Sequence, residues 1–259
     1  QLSLVLEQQP YYLPALLVIA RTEQASGNYQ QAMDYVQQAK KAQPDQYLIY
    51  ELGGDISMQA KNYKEASEYY NQIMSIRPTS EIVVKQSSVL MRLSETEQAI
   101  DVLQSWLSNH SDDTGVRLFL GNAYLAIGAN AKALESFETV LKEQSDNIIA
   151  LNNLAWLYSL KNEPKALEYA EKAYKIRPND SNIQDTYGWV LVQQGQFENG
   201  RRILESAMNE LSAVPEVRYH YGVALMKTGE EKKAREIFAE LLDSDKPFEG
   251  REQVEQIMK

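Results

Sequence analysis

The sequence predicts an all-α fold, a solenoid of stacked helical hairpins, and two observations carry that prediction: a repeat of fixed length and a recurring set of helix stops. Seven small residues, Ala32, Ala66, Ala99, Ala133, Ala166, Gly200 and Ala234, follow one another at intervals of 34, 33, 34, 33, 34 and 34 residues. A unit of about 34 residues that is helical throughout is a pair of short antiparallel helices, which buries its apolar face only by stacking on its neighbours. Pro10, Pro44, Pro78 and Pro178 stand at matching places. Each ends a second helix, because proline lacks the N–H donor and clashes with the preceding turn. Such a stack offers a surface for function rather than one central pocket.

Taken in order, the units are 13–46, 47–80, 81–113, 114–147, 148–180, 181–214 and 215–248, seven repeats in all. Residues 1–12 read as the second helix of an earlier repeat, with Leu2, Val5 and Leu6 on one face and Pro10 as its stop. Because the chain opens at Gln1, inside a repeat, it is expected to be a piece of a longer protein whose signal peptide or lipid anchor would precede it. Residues 249–259 read as a capping helix. Val254, Ile257 and Met258 share a face there, while Glu252, Glu255 and Gln256 give the polar outer side that the end of a solenoid needs.

Within a repeat the eighth residue is small, as at Ala20, Gly54, Ser88, Gly121, Ala155, Gly188 and Gly222. With the alanine or glycine eleven or twelve residues on, it sets a close crossing of the two helices. Seven residues after that alanine stand Ala39, Ile73, Trp106, Val140, Ala173, Ala207 and Leu241, expected to face the next repeat, with Trp106 as core. Gly27, Gly128, Gly195 and Gly229 follow first helices, where a left-handed cap suits glycine. The two 33-residue steps lose a residue in this same turn, at 93–97 and 162–164, so tighter turns are expected there with both helices intact. After Pro178, Asn179, Asp180 and Ser181 offer N-caps. The sixteen tyrosines fill interhelical space, with hydroxyls expected to reach water.

Composition excludes several function classes. Lys and Arg total 26 against 36 Asp and Glu, a formal charge of −10 that repels phosphate backbones and argues against a nucleic-acid partner. Without cysteine there is neither a disulfide framework nor a thiolate metal site. No run of about 18 apolar residues occurs, so no transmembrane segment is expected in this stretch. His110 and His220 are 110 residues apart, and neither has a second histidine or an acidic pair at metal spacing, which argues against a metal. No phosphate loop, nucleophile elbow or catalytic carboxylate pattern appears, so neither an enzyme nor a cofactor is expected. Gly53 and Gly54 read as a packing surface inside a helix.

These positions resemble the tetratricopeptide repeat. Residues 148–180 are the clearest copy, with Leu151, Leu154, Ala155, Tyr158, Ala166, Ala170, Ala173 and Pro178 in place. The resemblance implies a right-handed superhelix whose first helices line a concave groove. Residues at the corresponding groove places are Arg21, then Glu51 and Asp55, then Lys85 and Arg92, followed by Asn122. Asn152, Asn153 and Trp156 come next, then Asp185 and Trp189, and finally Tyr219 and His220. The implied function is non-catalytic binding of a protein or peptide segment in that groove.

Asn122 and Asn153 stand where peptide-binding members hydrogen-bond a ligand backbone, a task that an amide serves as donor and acceptor. The basic residues of the carboxylate-capturing members are replaced by Leu118, Asn182 and Thr186, so capture of a C-terminal carboxylate is not implied. Trp156 and Trp189 occupy one place in successive repeats, so their rings are expected to lie near one another and to suit peptides or sugars. The alternative is a carbohydrate-associated or assembly scaffold working through the convex face or the edges.

A narrower likeness rests on residues 151–158 (LNNLAWLY), on 185–189 (DTYGW) and on Gln194-Gly195. This pattern resembles bacterial exported tetratricopeptide lipoproteins of the exosortase/PEP-CTERM and exopolysaccharide systems. It implies a periplasmic scaffold tethered to the outer membrane through a preceding segment and serving sorting or polysaccharide-export machinery, with the cytoplasm as the alternative compartment.

Overall fold

The computed structural model describes residues 2–244 and 246–259, with side chains from Leu4 onward. The expectation for the Leu2 side chain lies outside the described residues. Those residues form sixteen α-helices and no strand. Consecutive helices pack on each other in pairs, and the chain divides into two compact units, Gln1–Ala133 and Leu134–Lys259.

The first unit begins with α1 (Leu2–Gln8), α2 (Leu13–Ala25), α3 (Tyr29–Ala42), α4 (Tyr47–Gln59) and α5 (Tyr63–Ile76). It continues through α6 (Ser80–Arg92), α7 (Thr96–Leu107) and α8 (Thr114–Ala126) into the start of α9 (Asn130–Glu143). The second unit holds the rest of α9, then α10 (Ile148–Ser159), α11 (Lys165–Ile176), α12 (Ser181–Gln193) and α13 (Phe197–Leu211). It ends with α14 (Pro215–Lys227), α15 (Glu231–Asp243) and α16 (Arg251–Met258). Besides the hairpin pairs, first helices touch the next first helix: α2 with α4 and α6 with α8 in one unit, α10 with α12 and α12 with α14 in the other. A row of first helices therefore lines one side of each stack.

One backbone device closes every hairpin. An amide three or four residues beyond each first helix donates five residues back, as in Asn28 to Glu23 O (2.9 Å), Asn62 to Ser57 O (2.8 Å) and Gln196 to Leu191 O (2.9 Å). This is the cap that needs a left-handed residue. Gly27, Gly128, Gly195 and Gly229 supply it with φ of 79°, 70°, 78° and 85°, and Lys61, Ser94 and Asn162 supply it with φ of 61°, 63° and 51°.

The shortened steps resolve differently from each other. At 162–164 the turn is tighter, as expected: Ala166 N donates three residues back to Glu163 O, where Ala32 and Gly200 donate four back. At 93–97 the turn keeps full length, with Glu95 N on Leu90 O at 2.8 Å. The missing residue is in the preceding linker, 77–79, three residues long where 43–46 and 177–180 have four. Pro78 stops α5, and Thr79 already caps α6 by accepting from Ile82 N at 3.3 Å, so one residue fewer suffices. Helix α6 thus opens at Ser80, and the small residue at the helix crossing is Ser87, fully buried, rather than Ser88.

The crossings are tight because the eighth places are small. A Cβ on Gly54 would meet the Tyr70 ring, and one on Gly222 would meet Phe238. The tyrosine hydroxyls expected in water are bonded inside instead: Tyr50 to Pro44 O (2.6 Å), Tyr70 to Asp55 (2.7 Å) and Tyr158 to Glu138 (2.6 Å). Of the seven places facing the next repeat, six are buried and the seventh, Trp106, stays half-exposed. The indole exceeds the space that Ala39 or Ile73 fills.

Buried Tyr69 accepts a bond from Gln37 Nε2 at 2.8 Å, and burial together with Glu65 pushes its hydroxyl up to about 12. An unfolded tyrosine ionises near 10 (about the free value). The folded chain therefore holds this proton more tightly, and the associated stability is complete below pH 10 (about) and lost as pH rises toward 12 (about). Urea midpoints are expected to fall across that window, and Tyr69→Phe should flatten the fall.

Candidate functional site on the first helices

In the first unit, three expected site residues come together. Lys85 Nζ on α6 lies 3.2 Å from Glu51 Oε1 and 3.0 Å from Asp55 Oδ1, both on α4. Glu81, one turn before Lys85, contributes a third carboxylate at 3.0 Å. Tyr70 from α5 donates to Asp55 Oδ1 from beneath. Burial alone would lower the Lys85 ammonium, yet its bonds to Asp55, Glu81 and Glu51 hold it above the usual lysine range. Burial, then the bond to Asp55, raises the Tyr70 hydroxyl.

One ammonium among three carboxylates leaves a net negative charge, so this face offers acceptors rather than a free cation. Arg21 on α2 and Arg92 on α6 are exposed and Asn122 on α8 is half-buried, and none of the three joins this cluster. Glu81 and Tyr70 were outside the sequence expectation. The spacing of four residues to Lys85 points to the first, and the glycine that makes room for its ring points to the second.

In the second unit, Asp185, Trp189, Tyr219 and His220 form one cluster between α12 and α14. His220 Nδ1 is 2.9 Å from Asp185 Oδ1, and its ring stacks on Trp189 at 4.4 Å and 16°. Trp189 does not pair with Trp156. Its stacking partner comes from the following first helix, because His220 is held there by Asp185. Tyr219 is 4% and His220 7% exposed, so both act chiefly as interior links. The Tyr219 hydroxyl donates to Gln253 of α16, and Phe248 and Gly250 cover its ring. Trp156 stays half-buried on α10.

An open cleft of about 410 Å³ lies where α10 and α12 begin, lined by Ile149, Asn152, Asn153, Arg177 and Asn182 among others. Both of its loops are pinned as N-caps. Asn147 accepts from Ala150 N at 3.1 Å, and Asp180 from Asn182 N at 3.0 Å and Ile183 N at 3.3 Å, which confirms Asp180 among the three expected caps. Asn153 Nδ2 donates to Ile149 O of its own helix at 2.9 Å, which sets the direction of its amide. Asn152 Oδ1 is buried with no hydrogen-bond partner among the described residues. A buried acceptor without a donor costs about 1–3 kcal/mol. The cleft thus joins amides, a guanidinium and Ile149, which is 52% exposed, while the oxygen of Asn152, one of its lining residues, is closed to solvent in this arrangement.

Tetratricopeptide repeat models match residues 6–158 and 191–249, and the chain belongs to the tetratricopeptide repeat family. Proteins of this family are generally non-enzymatic scaffolds for protein–protein interaction. A TPR repeat-containing protein of Pseudomonas aeruginosa is 27% identical over 160 residues, 60% of this chain and 27% of the relative's length. Among solved structures, a tetratricopeptide repeat protein of Parabacteroides merdae superposes with a TM-score of 0.70 at 16% identity, covering 95% of this chain and 97% of that one. YrrB, described as a TPR protein with an unusual peptide-binding site, gives a TM-score of 0.55 at 21% identity, covering 70% and 95%. These structural likenesses show the fold. No helix among the described residues is long and apolar enough to cross a membrane.

Proposed function

We propose that the chain is a non-catalytic scaffold that captures an extended segment of a partner protein along its first helices, with the cleft at the start of α10 and α12 as its centre. The observation that carries this reading is the partnerless Asn152 Oδ1, on a residue that lines a cleft with the amides of Asn147, Asn153 and Asn182 set among charged and isoleucine side chains. Once the Asn152 amide turns toward the cleft, a main-chain N–H of an extended segment supplies the missing donor, Asn153 and Asn182 take further backbone groups, and Ile149 and Trp156 meet apolar side chains. Asp185, His220 and Tyr219 fix the position of Trp189. In the first unit, Glu51, Asp55 and Lys85 offer a negative face, while Arg21, Arg92 and Asn122 provide separate polar contacts. The peptide-binding site named for YrrB supports a peptide ligand for such a fold.

Placement in a bacterial envelope, in exosortase-dependent sorting or exopolysaccharide export, belongs to the same proposal and rests on the resemblance of residues 151–158 and 185–195 alone. Joint replacement of Asn153 and Trp156 by alanine tests the first-helix face of the second unit. A peptide selected on an array by the wild-type chain should lose at least about tenfold in affinity for this variant, with unchanged far-UV circular dichroism. Undiminished affinity rejects the assigned face.

A further inference from the structure

A second site lies on the second helices of the first unit. Between α5 and α7 the surface opens into a cavity of about 520 Å³ whose apolar wall is Met74, Pro78, Val102 and Trp106. Trp106 is held rigidly there. Its indole N–H donates to Asp113 Oδ2 at 2.8 Å, and the His110 ring stacks on it at 3.7 Å and 8°. Asp113 in turn accepts from the Ser80 hydroxyl and caps Val116 N at 3.0 Å. Burial alone would raise the Asp113 carboxyl, but the bonds from Ser80, Val116 and Trp106 hold it below the ordinary range and keep it charged.

The charge around this cavity is of one sign. Asp101 lines it, exposed and with no ion-pair partner among the described residues, the Asp113 carboxylate holds the indole N–H, and no lysine or arginine among the described residues lines the wall. The geometry points to a docking site for a segment of a partner protein that inserts a bulky aliphatic side chain beside Trp106 and sets an adjacent lysine or arginine against Asp101. The apolar wall supplies burial, and a fixed ring adds no ordering cost on binding. An exposed carboxylate without a cation of its own selects a basic neighbour. This site is separate from the first-helix face and engages without it.

The test uses the chain with methyl-labelled methionines, the Met74 resonance being assigned through Met74→Leu. The probe is an acetylated, amidated hexapeptide of alternating lysine and leucine, with glutamate–leucine and lysine–serine counterparts. The Met74 methyl should shift saturably with the lysine–leucine peptide and bind each counterpart at least about tenfold more weakly. Asp101→Asn, an exposed change that leaves the fold intact, should weaken binding about two- to fivefold. Joint replacement of Asn153 and Trp156 should leave it unchanged. No saturable shift, an equal response to either counterpart, or an unaltered affinity in Asp101→Asn overturns the proposal. A Met74 shift that follows protein concentration without peptide also overturns it, naming a second copy as the occupant.

Discussion

Gly200→Val is expected to destabilise the second unit by about 3 kcal/mol or more, measured as the loss in urea-unfolding free energy. A Cβ at this position would lie 2.7 Å from the Gly188 carbonyl oxygen, 2.6 Å from Val192 Cγ2 and 3.1 Å from Val192 N. Two of those neighbours are backbone, fixed by the hydrogen bonds of α12. Valine can therefore be accepted only by separating α12 from α13. Alanine is the informative control, since the equivalent place holds alanine in every other repeat. Helix propensity favours Gly200→Ala by about 1 kcal/mol. The contact with the Gly188 carbonyl outweighs it, so the alanine variant is also expected to lose stability, by about 1–2 kcal/mol. A stabilised Gly200→Ala would show that the two helices part freely.

The same pair shows what was legible in the sequence. The period of small residues fixes where helices cross, and the helix stops follow from Pro44, Pro78 and Pro178, each two residues past a helix end. The left-handed closures at Lys61, Ser94 and Asn162 were not legible, because the hairpin's hydrogen bonds impose that conformation on residues that do not prefer it. For the same reason the residue lost before Ala99 is missing from the linker 77–79 and not from the turn at 93–97, where Ser94 takes the glycine's left-handed place. Among site residues, Glu51, Asp55 and Lys85 do meet, since charges 34 residues apart occupy adjacent first helices. Trp156 and Trp189 share a place yet not a contact, because the bond between His220 and Asp185 brings an imidazole against Trp189 first. Trp106 is half-exposed rather than core, its indole drawn out toward Asp113 and His110. The unmet oxygen of Asn152 depends on side-chain geometry that no spacing encodes.

Replacing Asn152 by leucine is expected to move stability and binding in opposite directions. The substitution removes a buried acceptor that has no donor and places a better helix former within α10. Unfolding free energy should rise by about 1 kcal/mol. Binding of an extended peptide should fall at least about tenfold, because the ligand N–H loses its acceptor and must stay unpaired or in water. Most substitutions that impair a binding face leave stability unchanged or lower it, so this combination identifies an acceptor retained for a ligand.

Urea unfolding of the wild-type chain and of Asn152→Leu, each with and without a saturating array-selected peptide, measures both effects at once. The account predicts that the variant is the more stable of the two without peptide, and that peptide stabilises only the wild type. A variant that is less stable alone, or that the peptide stabilises as much as the wild type, contradicts it.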